Sequence, residues 1–496
     1  MKGMVAVPLW KRMLTRQWSF FWAGVGFGIA QLIFMIAKYI EHIGQGKELV
    51  SQPIGVTTYL GRMFHNMEVF WFNVEKGAGI FGEAFSTVDS WGPILGMMLG
   101  GFLVAMAEKE SRNWVRYSPR LLLLSFFGGV IFSYGTRLSG GCTLHHLLGG
   151  TPLMSIKSTI ILITMSIGGL LAFYLMTKMG LAKYFKHQET KAYVKSMVGN
   201  KDETDGITYD PNYRPGRDPV RWVGLIFLAM FLIPSIYYFF SPEAPNSIPN
   251  AGIVFMGLGL LAGIVAGFAM GKTGFGTECS LVAVEAGAMI KRDEPRFKQL
   301  GVPAVTRSLM KGLLPLHGVL AAMLITSGFA LGAWVLFDIQ FGYQNSPARD
   351  MLNWSGLIGG LLLGSGAVLL IGCEIRSYMR LGLGYTNALV GFIGFAVGYV
   401  PFSLFYDAHV KFAADSVIIT ETYTWAQAIF PNDIAMQKVF AVVWVLMFLG
   451  LLLWTLRIGA RRLGAASSMQ LVNRNTEEVE TEVKGSFDGL PVPARA

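Results

Sequence analysis

The chain has 496 residues, of which 53% are hydrophobic and only 15% are charged, and its mean hydropathy is +0.47. This composition excludes an ordinary soluble protein of several domains and is typical of a chain that crosses lipid. The net charge of +10 does not indicate nucleic-acid binding, because the basic residues lie between apolar stretches instead of on one soluble face.

Apolar stretches long enough to cross a bilayer recur along most of the chain. A spanning helix needs about 20 mostly apolar residues. We therefore predict an all-α polytopic membrane protein with ten transmembrane helices. The predicted spans are 20–39, 91–107, 119–136, 155–177, 222–240, 251–270, 313–337, 354–372, 386–405 and 437–458.

The first apolar stretch follows Lys11, Arg12 and Arg16 and has no cleavage site after it, so we expect it to be retained as a span. Cytoplasmic segments of membrane proteins carry an excess of lysine and arginine. If the N-terminus is cytoplasmic, the inside segments hold 29 of the 41 basic residues. The four outside segments, 40–90, 241–250, 338–353 and 406–436, hold five. We therefore predict that both termini face the cytoplasm.

The polar segment 178–221 divides the chain. It carries charges of both signs and is predicted to be a cytoplasmic linker after a first transmembrane half, 1–177. Residues 222–463 are predicted to hold a linking helix, the second transmembrane half and a final helix. The tail 464–496 is polar and acidic without an apolar period, which predicts disorder in the cytoplasm.

A glycine-rich break interrupts the apolar pattern around Cys142, with Gly140 and Gly141 before it and His145 and His146 after it. Non-helical backbone at membrane depth is tolerated only against protein or a wet cavity, and the helix ends beside a break attract anions. A plain turn with one buried thiol is the alternative. Only this break contains histidine, so we predict no metal site and no cofactor.

Each of the three cysteines lies in such a break and has a basic residue nearby. Charged side chains at membrane depth usually face a cavity, and a cation close to a thiol favours a thiolate or a bound anion. The alternative is that the carboxylates Glu278 and Glu374, which lie beside two of the cysteines, pair with the nearby cations. The site would then be nearly neutral. The pairs are Arg137 with Cys142, Lys272 with Cys279, and Arg376 with Cys373.

Two of the breaks resemble each other in register. Residues 134–142 pair with residues 365–373, and each break lies between two apolar spans. The flanking spans run in opposite directions in the two cases, which predicts an inverted-topology repeat with broken or re-entrant helices. Such repeats place a substrate site near the bilayer midplane, where the broken helices meet. Cys279 has no counterpart in the first half.

These motifs resemble those of the YeeE/YedE family of membrane proteins, whose characterised members take up thiosulfate and some of which are associated with selenium metabolism. Residues 140–142 match the family's Gly-Gly-Cys break. Residues 371–373 match it except that Ile371 replaces the first glycine, and residues 267–279 match a third motif approximately. The order of the halves is closest to YedE.

The resemblance covers roughly 91–177 and 251–405, and it implies a permease, not an enzyme, whose thiols hold a small sulfur-containing anion, thiosulfate first, in a bacterial inner membrane. Transport of a selenium compound and a membrane-embedded thiol enzyme that transfers sulfur are the alternatives. A cytoplasmic sulfurtransferase is a candidate partner. By this analogy the substrate-binding residues are Cys142, Cys279 and Cys373, with Gly141, Gly372, Arg137, Lys272 and Arg376 beside them.

Overall fold

The computed structural model leaves Cys279, the tail and most of the 178–221 linker outside the described residues, so the predictions for them are not addressed by the fold. Glu278 also lies outside. The described residues are 13, 14, 18, 20–107, 119–179, 215–273, 313–341, 351–370, 372–419 and 423–463.

The first part of the chain forms long apolar helices joined by short elements. Most of these helices are hydrophobic around their whole circumference, as expected for segments surrounded by lipid and other helices. In chain order the elements are α1 (Phe20–Gly44), β1 (Val50–Ser51), α2 (Thr57–Phe72), α3 (Gly79–Gly82), α4 (Gly92–Ala107), α5 (Pro119–Ser139), a π-helical segment (Leu144–Gly150) and α6 (Ile156–Lys178).

The second part of the chain, after the linker, also consists of long apolar helices joined by short elements. It opens with a 3-10 turn (Pro215–Arg217), and Asp218 then caps the next helix by accepting a hydrogen bond from the Val220 N–H. The elements that follow are α7 (Pro219–Phe240), α8 (Ile248–Ala251), α9 (Ile253–Gly271), α10 (Leu313–Phe337), β2 (Gln340–Phe341), α11 (Trp354–Leu370), α12 (Glu374–Leu383), α13 (Thr386–Leu404), α14 (Tyr406–Asp415), α15 (Trp425–Ile429) and α16 (Ile434–Leu463).

In the described part of the chain, nine helical stretches are long and apolar enough to cross a membrane. The shorter helix α4 is apolar as well, and together these helices account for all ten predicted spans. The all-α polytopic membrane fold is confirmed. One stretch, Trp354–Leu383, contains both α11 and α12, so helical structure resumes at Glu374, beyond residue 372 where the predicted span ends.

The contacts between helices are the same in the two halves of the chain when each helix is replaced by its counterpart. Helices α4 and α9 pack together, as do α1 and α10, and α5 packs on α11. Helix α5 also packs on α13, and α11 packs on α6. Exchanging α1 with α9, α4 with α10, α5 with α11, and α6 with α13 turns this set of contacts into itself.

Equivalent helices run in opposite directions. In the pair α5 and α11, Gly128 in the middle of α5 lies against Leu370 at the end of α11, and Gly135 near the end of α5 lies against Leu362 in the middle of α11. The same is true of α1 and α9, where Phe34 late in α1 packs on Phe255 early in α9. The structure therefore has the inverted arrangement that the sequence repeat predicts.

Glycines at equivalent positions allow these helices to approach closely. Each pair is separated by as many residues as Cys142 and Cys373. A Cβ at Gly128 would overlap the backbone of Leu370, and one at Gly359 would overlap the backbone of Ser139. Small residues let membrane helices pack backbone against backbone. The pairs are Gly128 with Gly359, Gly129 with Gly360, and Gly135 with Gly366.

The segments predicted to lie outside contact one another. Strand β1 pairs in parallel with β2, which joins segment 40–90 to segment 338–353. Asn246 Nδ2 donates to both carboxylate oxygens of Asp89 at 3.0 Å, and Asn353 bridges to Val417. The four segments therefore share one face of the protein, as the distribution of basic residues predicts.

Candidate functional site

The first break turns the chain out of α5 at Gly140, whose φ of +82° lies in the left-handed region that glycine adopts without strain. Ser139 Oγ then donates to the Gly141 carbonyl at 2.7 Å. The side chain of Cys142 is fully buried, and its carbonyl accepts the His146 N–H at 3.0 Å. Cys142 thus stands at the start of a helical turn that leads into the π-helical segment.

The second break has the same design. The Gly372 N–H donates to the Ala367 carbonyl at 3.0 Å, which closes the end of α11. Cys373 is extended, with φ −95° and ψ 178°, and is the N-cap residue of α12. Its carbonyl accepts both the backbone N–H and the hydroxyl of Ser377, at 2.9 and 3.0 Å, and its thiol is fully buried. Each cysteine therefore lies at the positive end of a helical turn.

A side chain three residues after each cysteine covers the glycine before it. A Cβ on Gly141 would overlap the His145 ring, whereas one on Gly372 would lie 3.3 Å from Arg376 Cδ. Packing within the break therefore requires glycine at position 141, whereas position 372 is tight but could take a methyl group after a small shift of Arg376. His145 and Arg376 occupy equivalent positions, and the buried Arg376 remains close to its predicted cysteine in sequence and in the fold.

The two breaks meet at the carboxyl group of Glu374, the first residue of α12. Tyr378 Oη donates to its Oε1 at 2.7 Å, and Thr57 Oγ1 donates to its Oε2 at 3.4 Å. The Cys142 thiol lies within hydrogen-bonding reach of both Glu374 and Thr57. It is also near enough to Cys373 for the two sulfur groups to interact electrostatically. The structure therefore brings two of the three predicted thiols together.

Arg137 borders this cluster from α5. Its guanidinium lies over the rings of Phe85 and Phe402, with its carbon 4.9 and 4.8 Å from their centroids. Its Nη1 donates to Thr58 Oγ1 at 3.2 Å, and its charge acts on Glu374. Aromatic faces and a hydroxyl hold this cation in place beside the site, which agrees with the inward orientation expected of a charge at membrane depth.

The N-terminal end of α2 forms a wall of the site that sequence reasoning missed. Thr57 is only 4% exposed, and its carbonyl accepts the Tyr399 hydroxyl at 2.9 Å. The prediction treated residues 40–90 as an outside loop. An apolar period at Leu60, Phe64 and Met67 was the available signal of a helix in this segment.

The described contacts of Lys272 are with the N-terminal segment and with its own helix, and not with the cluster around Glu374. Its side chain is fully buried, its Nζ donates to the Leu14 carbonyl, and it lies 5.5 Å from the centroid of the Phe268 ring. These contacts join the end of α9 to the N-terminal segment. Substrate binding by Lys272 stays a prediction, as does the role of Cys279.

Histidine has a packing role in the first break. His146 is buried, its Nδ1 lies 3.1 Å from Ser158 Oγ, and the His145 ring covers Gly141. Within the described ranges, no group of three or more His, Cys, Asp or Glu side chains is placed to hold a metal ion.

A family model described as sulphur transport matches residues 4–171 and 304–487, which together make up most of the chain. The chain belongs to the YeeE/YedE sulphur transport family. Membership agrees with the apolar helices and makes the protein a multi-pass membrane transporter of sulfur compounds. Cys142 and Cys373 lie inside the matched regions, whereas Cys279 lies between them. A comparison with curated proteins gave no match.

Proposed function

We propose that the protein takes up a small sulfur-containing anion, thiosulfate first, across a bacterial inner membrane with both termini in the cytoplasm. One observation carries the proposal. Two buried thiols, Cys142 and Cys373, stand at the starts of helical turns from opposite halves of an inverted repeat and lie near each other. Inverted repeats form substrate sites where their broken helices meet.

The chemistry of these groups suits a soft anion. A thiol is a polarisable and weak hydrogen-bond donor, and helix N-termini attract negative charge without a full positive charge. Conduction needs binding that is favourable enough to enter and weak enough to leave. In this proposal Cys142, Cys373 and Cys279 contact the anion in turn, and the cations Arg137, Arg376 and Lys272 attract it.

Uptake of labelled thiosulfate by proteoliposomes tests the proposal. We expect uptake above that of empty vesicles, and loss of uptake in Cys142→Ser and Cys373→Ser although both variants still insert. Ala262→Ser places the same hydroxyl at another fully buried position, in α9, and serves as the matched control. A wild-type protein that carries no thiosulfate would refute the proposal.

The same assay separates thiosulfate from selenium compounds, because selenite and sulfate are offered as competitors. A sulfur-transfer enzyme is the second candidate, since adjacent thiols suit transfer of a sulfur atom. It predicts a persulfide or a disulfide at Cys142 or Cys373. Mass spectrometry after exposure to thiosulfate that shows unmodified thiols together with sustained uptake would favour transport.

A further inference from the structure

We propose that Glu374 binds and releases a proton during each transport cycle, so that uptake of the anion is coupled to a proton gradient. This inference rests on the proposed transport function and names its energy source. Its basis is the place of Glu374, whose carboxyl group lies between the two breaks and shares its hydrogen-bond donors with the groups proposed to hold the anion.

Glu374 is 1% exposed, and its described hydrogen-bond partners are neutral. They are the Tyr378 and Thr57 hydroxyls and the Cys142 thiol. Hydroxyl and thiol groups stabilise a buried carboxyl group in either protonation state, because each of them donates a hydrogen bond and also accepts one. The surroundings are therefore suited to a carboxyl group that changes its charge in place.

The groups that face Glu374 come from several elements. Arg137 on α5 and Tyr399 on α13 are both close enough to Glu374 to interact with it electrostatically. Helices α4 and α9 pack against α12 and contain no titratable side chain between Gly92 and Ala107 or between Ile253 and Gly271. Among the described residues, the other titratable groups near Glu374 or on α12 are Cys142, Cys373, Arg376, Tyr378 and Arg380.

An anion held by the Cys142 thiol would lie beside an ionised Glu374. Two unit charges about 4 Å apart at an effective dielectric constant of about 20 repel each other enough to weaken binding about a thousandfold. The anion and the carboxylate would also compete for one thiol donor. Protonation of Glu374 removes both penalties, so the anion and the proton occupy the site together.

The cycle conserves charge and protons in a simple way. Glu374 takes up one proton when the site opens to the outside and the anion binds. The same proton leaves to the cytoplasm with the anion, and the ionised carboxylate then accepts the free donors until the next cycle. A dianion carried with one proton moves one negative charge inward instead of two.

The test uses the full chain in proteoliposomes with the membrane potential clamped at zero, thiosulfate on both sides and a pH gradient of one unit, acidic outside. One coupled proton raises internal thiosulfate by at most about tenfold over the external concentration. We expect the wild type to approach this ratio and to acidify the interior, as read by a trapped pH-sensitive dye. Exchange of labelled for unlabelled thiosulfate is measured in parallel without a gradient.

In Glu374→Gln we expect no accumulation, no proton uptake and an exchange rate that no longer depends on pH. Glu374→Asp keeps a titratable group and should retain accumulation. Glu68→Gln is the matched control, because Glu68 is a buried carboxylate held by the N–H groups of Ile80 and Phe81, outside the site. It should behave as the wild type.

Accumulation by Glu374→Gln equal to that of the wild type would overturn the inference. A wild type that exchanges thiosulfate without responding to the pH gradient would overturn it while the proposed function stands, and this result does not depend on whether any variant folds. A wild type with no thiosulfate flux under any condition would overturn both.

Discussion

Adding a methyl group at Gly359 should separate the two helices that carry the breaks. The Cβ of Gly359→Ala would overlap backbone atoms at Ser139, which cannot move aside as a flexible side chain would. Overpacking of this kind costs about 1–3 kcal/mol. Alanine regains about 1 kcal/mol of helix propensity, so the net loss should be at most about 2 kcal/mol.

The control is another glycine within a spanning helix. A methyl group at Gly257 in α9 would have no atom within 4 Å, so Gly257→Ala should gain helix propensity at no steric cost. We expect the apparent Tm in detergent to fall by up to about 2 °C for Gly359→Ala and to stay level or rise for Gly257→Ala. The equivalent variant Gly128→Ala should behave as Gly359→Ala does.

The double variant gives a sharper result. Gly128 and Gly359 lie at one interface, so a displacement caused by the first methyl group should make the second less costly. The combined loss of stability should therefore be smaller than the sum of the single losses. Equal melting temperatures for Gly359→Ala and Gly257→Ala would refute the close packing of α5 and α11.

Three further outcomes follow from contacts in the site, each measured as initial thiosulfate uptake at equal protein content. Thr57→Val removes the hydroxyl that donates to the central carboxyl group and should slow uptake about five- to tenfold, and unchanged uptake would exclude this role. Arg137→Lys keeps the charge but loses the planar group that stacks on two rings, and should slow uptake about tenfold; a wild-type rate would show that charge alone suffices. Gly141→Ala should abolish uptake because its methyl group overlaps the His145 ring, whereas Gly372→Ala should retain part of it, and the opposite order would contradict the packing of the breaks.

The spans and the two breaks could be predicted from the sequence because they rest on local properties. Length and hydropathy mark a helix such as α9, and adjacent glycines mark the break at Cys142. The resemblance in register between residues 134–142 and residues 365–373 predicted the inverted repeat. None of these signals requires knowledge of a distant contact.

The missed elements depend on contacts between distant parts of the chain. Helix α12 lies between the predicted spans 354–372 and 386–405, and its Glu374, Arg376 and Arg380 are all buried. Burial of Glu374 depends on partners such as Thr57, which lies 317 residues away along the chain. Such pairs have no local pattern, so the apolar period of α2 could indicate a helix but not its position as a wall of the site.

The glycine contacts between α5 and α11 also limit how these two helices can move relative to each other. Each helix has glycines against which the main chain of the other helix packs. They are Gly128 and Gly135 on α5, and Gly359 and Gly366 on α11. Sliding one helix along the other would move all of these glycines away from the facing main chain at the same time. The two helices therefore resist sliding along each other, because any such displacement would have to break all of these contacts together.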